Sequence, residues 1–305
     1  MDLDSTPEQE EIKALIEGPQ VILQRHARST ANASYEELVS KFGDPNDIPY
    51  EDLLNNDFNP ANRDAKIDQL GIEQCLESQK IANQLPIHTI FVSPLRRALM
   101  TAYYVYKDHP DFASIKFILL PQLRESLNII SDIPSNINEV IEEFKELIPQ
   151  LHIAELNTSL VDQRTSREHW FLNDLEFNIE QQESMSEIKK ELEVWLEEEE
   201  EKDVCELLCK YGREVHSTVL ESRWSVRDRA MEVKKIVKKY LDENEIPEDQ
   251  KVIIVGHYVI FCHYTQVWEK EYSRDKEIPR PENCLKLKNC QFVSDPNDLS
   301  TLKTD

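Results

Sequence analysis

The chain has 305 residues, enough to bury a sizeable core, and its 40% hydrophobic against 31% charged residues with only 5 Gly fit a soluble, helix-rich globular protein. Its 59 acidic against 35 basic residues give a net charge of -24, which repels phosphate backbones and acidic headgroups and argues against a nucleic-acid or membrane-surface partner. No long apolar run or secretory-type leader is present and the six cysteines show no disulfide-framework spacing, so a reducing compartment, the cytoplasm, is expected.

Residues 1–18 read as an acidic leader holding a short helix. The apolar run Val21-Ile22-Leu23 then predicts a strand over 20–25, which ends on Gln24-Arg25-His26-Ala27-Arg28-Ser29-Thr30-Ala31-Asn32. A histidine between two arginines, with Ser29 and Asn32 close behind, is an odd choice for stability at a strand end and reads as a site for an anion. Residues 33–63 mix Asn, Asp, Pro and Tyr with short apolar pieces, which predicts short helices in a long surface excursion. Asp68 is placed to cap a helix with Leu70, Cys75, Ile81, Ala82 and Leu85 on its apolar face. That helix ends at Pro86, and 87–92 follows as a buried strand.

The strand runs into Ser93-Pro94-Leu95-Arg96-Arg97-Ala98, where Ser93 is expected to cap the next helix and Pro94 to open it. Arg96 and Arg97 then lie at the positive end of the macrodipole, a place for cations only if an anion joins them. Residues 115–120 predict another strand, leading to Leu123-Arg124-Glu125. From 129 to 217 the chain is acidic and helical in pattern, with helical spacing over 137–144 and a long helix expected over 185–211 around the run Glu197 to Glu201, a solvated face. Ser225 resembles the cap of an amphipathic helix to about Glu243, 252–257 is the clearest buried strand and ends on His257, and 285–293 alternates as an edge strand does. Strands alternating with helices predict an α/β sheet covered on both faces. Cys205 and Cys209 share a helical face and read as packing; His263 beside Cys262 reads as a packed helix face rather than as metal ligands.

The four strand ends carrying Arg25 and His26, Arg97, Glu125 and His257 together resemble the histidine phosphatase superfamily, the phosphoglycerate-mutase-like fold. Arg25, His26, Ser29 and Asn32 match an Arg-His-Gly motif followed by Ser or Thr and then Asn. Ser93 to Ala102 matches Ser-Pro-Leu-x-Arg-Ala-x-x-Thr-Ala, Asp64 to Gln74 resembles the helix-start segment between those motifs, Leu123 and Glu125 resemble a Leu-x-Glu, and His257 matches the second histidine. The resemblance covers roughly residues 19–127 and 218–294. It implies a three-layer αβα fold with a mostly parallel central sheet: a core over 19–128 and 218–295, an acidic helical insert or lid over 129–217, and a flexible tail over 296–305.

The same resemblance implies a metal-independent phosphomonoester hydrolase, with no metal or other cofactor expected. His26 is then the nucleophile, kept neutral by nearby cations, and Arg25, Arg97, Asn32 and Ser29 bind the phosphoryl group. Arg28 is the best of the remaining arginines for touching substrate, His257 completes the pocket as a catalytic residue, and Glu125 protonates the leaving oxygen. The residues beyond Asn32 lack the tryptophan-containing continuation of the glycolytic mutases, which favours a phosphatase acting on a small-molecule or protein phosphomonoester. Ala27 and Tyr258 stand where the family has glycine. If either position needs positive φ or a close approach of ligand that a side chain would narrow, the chain is instead a degenerate member that binds a phosphoryl group, or a protein partner through its acidic insert.

Overall fold

The computed structural model describes residues 6–153, 221–266, 268, 278–281, 284, 285, 287–297 and 299. The expected helix over 185–211, Cys205, Cys209 and most of the 129–217 insert lie outside the described residues. Six strands form one sheet: β1 (Val21–Arg25), β2 (Ile87–Val92), β3 (Lys116–Leu119), β4 (Leu151–Ile153), β5 (Lys251–Gly256) and β6 (Phe292–Ser294), in the spatial order β4-β3-β2-β5-β1-β6. All neighbours run parallel except β6, which pairs antiparallel with β1 at the edge.

The described helices are α1 (Pro7–Glu17), α2 (Thr30–Phe42), α3 (Tyr50–Asp57), α4 (Gln69–Ala82), α5 (Arg96–Tyr106), α6 (Ile137–Phe144), α7 (Arg223–Asn244) and α8 (Tyr258–Thr265). Alternation along each strand divides the core in two. Ile22, Ile90, Val92, Ile253 and Val255 pack with side chains of α4, α5 and α6. Leu23, Phe91, Val252 and Ile254 pack with those of α7 and α8 on the other face. A sheet whose central strands are apolar on both sides requires helices on both, and the three-layer αβα architecture follows.

Several local expectations change. The 13-residue α2 starts at Thr30 and runs into the 33–63 excursion, capped reciprocally by Ser29 and Asn32 and closed by Gly43 at φ +84°, a left-handed turn that glycine adopts without strain. Asp68 caps α4 by accepting the Gly71 N–H at 2.7 Å, as its position predicts. Ser93 does not cap α5, which begins at Arg96 after Leu95 and has no side-chain cap from its own N-cap residue. The Asp64 carboxylate, arriving from the preceding loop, accepts the Arg96 N–H instead, at 2.9 Å. Helix α7 starts three residues before Ser225 would have placed its first turn, because Ser222 supplies the cap. Strand β4 has no counterpart in the sequence reading. Its three residues are too short for a periodic signal, and pairing with β3 alone makes them a strand.

Candidate active site

A cavity of about 540 Å³ opens at the carboxyl edge of the sheet, lined by Arg25, His26, Ser29, Asn32, Arg97 and Glu125 among others. These six side chains come from β1 and its loop, the start of α2, the first turn of α5 and the segment after β3. The parallel order brings the ends of β1, β5 and β2 side by side, so residues 72 positions apart meet in one concavity.

His26 is 5% exposed. Its Nδ1 lies 2.7 Å from the Ala27 carbonyl oxygen, which can only accept, so Nδ1 carries the proton and Nε2 keeps its lone pair. Burial first, then the charges of Arg97 and Arg25, hold the ring well below the ordinary histidine value and therefore neutral. The loop carrying it is pinned from below. Ala27 N–H donates to Thr101 Oγ1 of α5, and Arg28 N–H donates to Gln74 Oε1 of α4. Gly71 lets α4 approach this closely, since a Cβ there would sit 2.2 Å from the Arg28 carbonyl oxygen.

Ala27 and Tyr258 are not among the described residues with positive φ, so neither replacement of glycine strains the backbone. Ala27 is fully buried in the core, and Tyr258 forms cavity wall with its ring 5.6 Å from the Arg25 guanidinium, a cation–π distance. Arg25 is further oriented by donating from Nη1 to the Leu287 carbonyl. Asn32 has its Oδ1 taken by the Ser29 N–H and hydroxyl, which leaves the amide N–H groups as the end able to meet an anion. Ser29 thus works as a cap that orients Asn32.

Two expected site residues fall elsewhere. Arg28 turns away from the cavity, where Nη1 bonds Asp68 at 2.9 Å and Nε faces Glu36 at 2.9 Å; its charge is spent tying the loop to α2 and α4. His257 is fully buried and does not line the cavity. Its ring lies 5.0 Å from that of His26, its Nδ1 accepts from Arg97 Nε at 3.3 Å, and its Nε2–H donates to Ser93 Oγ at 2.7 Å. Burial and Arg97 hold this imidazole well below its ordinary value, in keeping with the accepting Nδ1. His257 positions Arg97 and, with Ser93, backs His26. The Ser-Pro start of the second motif therefore serves the site through Ser93, a role invisible without the fold.

The two arginines of α5 need no foreign anion. Arg96 pairs with Asp64 and Glu143, outside the cavity. Arg97 donates from Nη1 to the Ser131 carbonyl and from Nη2 to Asp132 Oδ1 at 2.8 Å. Asp132 closes the 3-10 turn Ile130–Asp132 ahead of α6, and nothing in the sequence singles it out. Burial, against the pull of Arg97 and with the charge of Glu125, raises it to about 6. Below that pH the carboxyl is neutral and its hold on Arg97 weakens. Asp132→Asn is expected to tighten sulfate binding about tenfold at pH 7.5, an effect of ~1.4 kcal/mol, and to change it little at pH 5. Calorimetric titration of sulfate, whose charge is constant over this range, checks it; weaker binding by the variant would show that Asp132 only holds Arg97 in place.

Glu125 is buried, not the surface carboxylate its charged neighbours allow. Its Oε1 accepts from the Ser126 and Ile260 N–H groups and its Oε2 from Val259 N–H at 3.0 Å, so it caps the first turn of α8. Oε2 takes one donor where Oε1 takes two, and is the oxygen with room for a proton. The segment is clamped by Glu221, which takes Arg124 and Arg229 in a buried triad. Among the described residues no three His, Cys, Asp or Glu side chains group as metal ligands do. His263 bonds the Val259 carbonyl one helical turn back and stacks near Trp268.

Residues 59–146 match the sequence profile of the histidine phosphatase superfamily, branch 1, a segment that includes Arg97, Glu125 and Asp132. The match covers this segment and not the β1 loop that carries His26. Among solved structures the chain is similar to the ecdysone phosphate phosphatase of Bombix mori, crystallised with tungstate, at 14% identity over 89% of this chain and 86% of that one, with a TM-score of 0.44. It is also similar to mycobacterial hydrolase 1, at 13% identity over 81% of this chain and 77% of that one, with a TM-score of 0.37. No curated protein sequence matches the chain.

Proposed function

We propose that the protein is a phosphomonoester hydrolase that works through a phosphohistidine on His26. The observation that carries this reading is the His26 Nδ1–Ala27 carbonyl bond, which leaves Nε2 unprotonated in a cavity lined by Arg25 and Arg97. In the first step the Nε2 lone pair forms the N–P bond as the ester P–O bond breaks, and Glu125 gives its proton to the leaving alkoxide. In the second, water attacks phosphorus, the N–P bond breaks, the water proton returns to Glu125 and inorganic phosphate leaves. Arg25, Asn32 and Arg97 supply N–H donors to the transferring group, which requires Asp132 to yield its place on Arg97.

The choice of hydrolase over mutase rests on the absence of the mutase continuation after Asn32. The degenerate reading loses the support that strained backbone at Ala27 and Tyr258 would have lent it. Release of inorganic phosphate from phenyl and alkyl phosphates tests the proposal. Glu125→Gln is expected to slow alkyl esters, whose leaving group needs a proton, at least about 100-fold more than 4-nitrophenyl phosphate, whose leaving group does not. Equal losses on both would remove Glu125 from the acid role, and no turnover of any ester by the intact protein would sink the hydrolase reading.

A further inference from the structure

The same cavity is also lined by Tyr35 of α2 and by Leu53, Asn56 and Asp57 of α3. Asp57 is the last residue of α3, where the carbonyl end of the helix adds partial negative charge. Its Oδ1 accepts from Asn56 Nδ2 at 3.2 Å, and Asn56 is itself fixed by Ser34 of α2, whose hydroxyl donates to Asn56 Oδ1 at 2.6 Å.

The cavity has three carboxylates among its described lining residues, and they are not equivalent. Glu125 is taken up by backbone N–H groups and Asp132 by Arg97. Asp57 has no cation beside it among the described residues, although it is half-buried and desolvation raises it from the ordinary carboxylate value. The described cations of the cavity, Arg25 and Arg97, bond the Leu287 carbonyl and Asp132 rather than Asp57.

We infer that Asp57 is the specificity-determining residue of this site, accepting a hydroxyl or ammonium hydrogen bond from the substrate's leaving group, so that the cavity selects monophosphates of neutral or cationic alcohols and rejects a second anionic group. The inference rests on the hydrolase reading only for where the phosphoryl group sits. A leaving group with donors satisfies the free Oδ2 of Asp57, whereas a second phosphate meets an unneutralised carboxylate in a partly desolvated wall. The whole-molecule charge of -24 acts in the same direction.

The test compares glucose 6-phosphate with glucose 1,6-bisphosphate, which share the sugar and differ by one phosphoryl group. The intact protein is expected to favour the monophosphate at least 30-fold in kcat/KM. Asp57→Asn should cut that ratio tenfold or more, chiefly through the KM of the bisphosphate, and Asp57→Glu should keep the preference. A ratio unchanged in Asp57→Asn, or lost equally in Asp57→Glu, would overturn the assignment. Calorimetric titration of the same two compounds reads the same ratio as binding. Should the protein prove to hydrolyse neither, the hydrolase reading still rests on the phenyl and alkyl phosphates, and the Asp57 assignment stands or falls on whether Asp57→Asn binds the bisphosphate relatively more tightly.

Discussion

His26→Ala is expected to lower phosphomonoester turnover by at least about 10⁴-fold, because the bond from Nδ1 to the Ala27 carbonyl leaves the imidazole Nε2 as an unprotonated nitrogen nucleophile beside Arg25 and Arg97. Loss of a nucleophile that acts together with its neighbours removes nearly all of their benefit as well, so the drop should approach that of removing the whole set. The pH profile separates this role from a merely structural one. Burial with Arg97 and Arg25 holds His26 well below 6.5, so the neutral, reactive ring persists as the medium becomes mildly acidic. The acid limb assignable to His26 should therefore fall well below pH 6.5. Rapid quenching during turnover should trap acid-labile, base-stable phosphate on the intact protein and none on the variant. Label retained at full stoichiometry in His26→Ala would move the nucleophile elsewhere.

The second large effect is on stability. Glu221 is fully buried and receives Arg124 and Arg229, together with the Ser225 hydroxyl and the Leu127 N–H. Burial alone would raise this carboxylate, but the two guanidiniums overcome it and bring Glu221 from 4.5 down to about 2. Burial beside Arg124 lowers Arg229 to about 10, still charged at neutral pH. Glu221→Gln keeps the shape and leaves two buried guanidiniums without their counter-charge. The expected cost is about 3–5 kcal/mol, or roughly 5–10 °C in Tm. The displaced pKa implies a contribution of the same order, ~3 kcal/mol.

The pH window follows from that displacement. A carboxylate depressed in the folded state stabilises fully above its unfolded value and loses the contribution as pH falls toward the folded one, here between about 4.5 and about 2. Urea unfolding of the intact protein should weaken across that interval, and the variant, lacking the titration, should show a flatter dependence. Equal slopes would mean that other carboxylates dominate acid unfolding. The triad also matters to chemistry, because Arg229 bonds the carbonyls of Gln122 and Arg124, the residues that lead into Glu125.

Much of the site could be read from the chain. Arg25, His26, Asn32, Arg97 and Glu125 were each recognisable from a short motif at the end of an apolar run, and all five line one cavity. What the residues could not reveal was which polar atoms remain available once the chain folds. Arg28 sits in the motif beside Arg25 yet serves Asp68 and Glu36, since the start of α4 folds back onto the loop. Arg96 and Arg97 suggested a bound anion, and the structure supplies the anions from the protein itself, from Asp64 and Glu143 for one and Asp132 for the other. Asp132 and Asp57 belong to no recognisable pattern, because each acquires its meaning from neighbours far away in sequence.

The sequence by itself determined the strands β1, β2, β3 and β5, their order in the chain and the residue types gathered at their ends. Those depend on apolar periodicity and on polar groups that cannot be buried unpaired, both local properties. Tertiary structure alone decided that His257 lies behind the cavity, that Ser93 orients it, that Glu125 caps α8 and that Asp132 occupies Arg97. These depend on which strand ends lie side by side in the sheet and on which hydrogen-bonding partners remain after burial, and both arise only when distant segments are brought to within about 3 Å of each other.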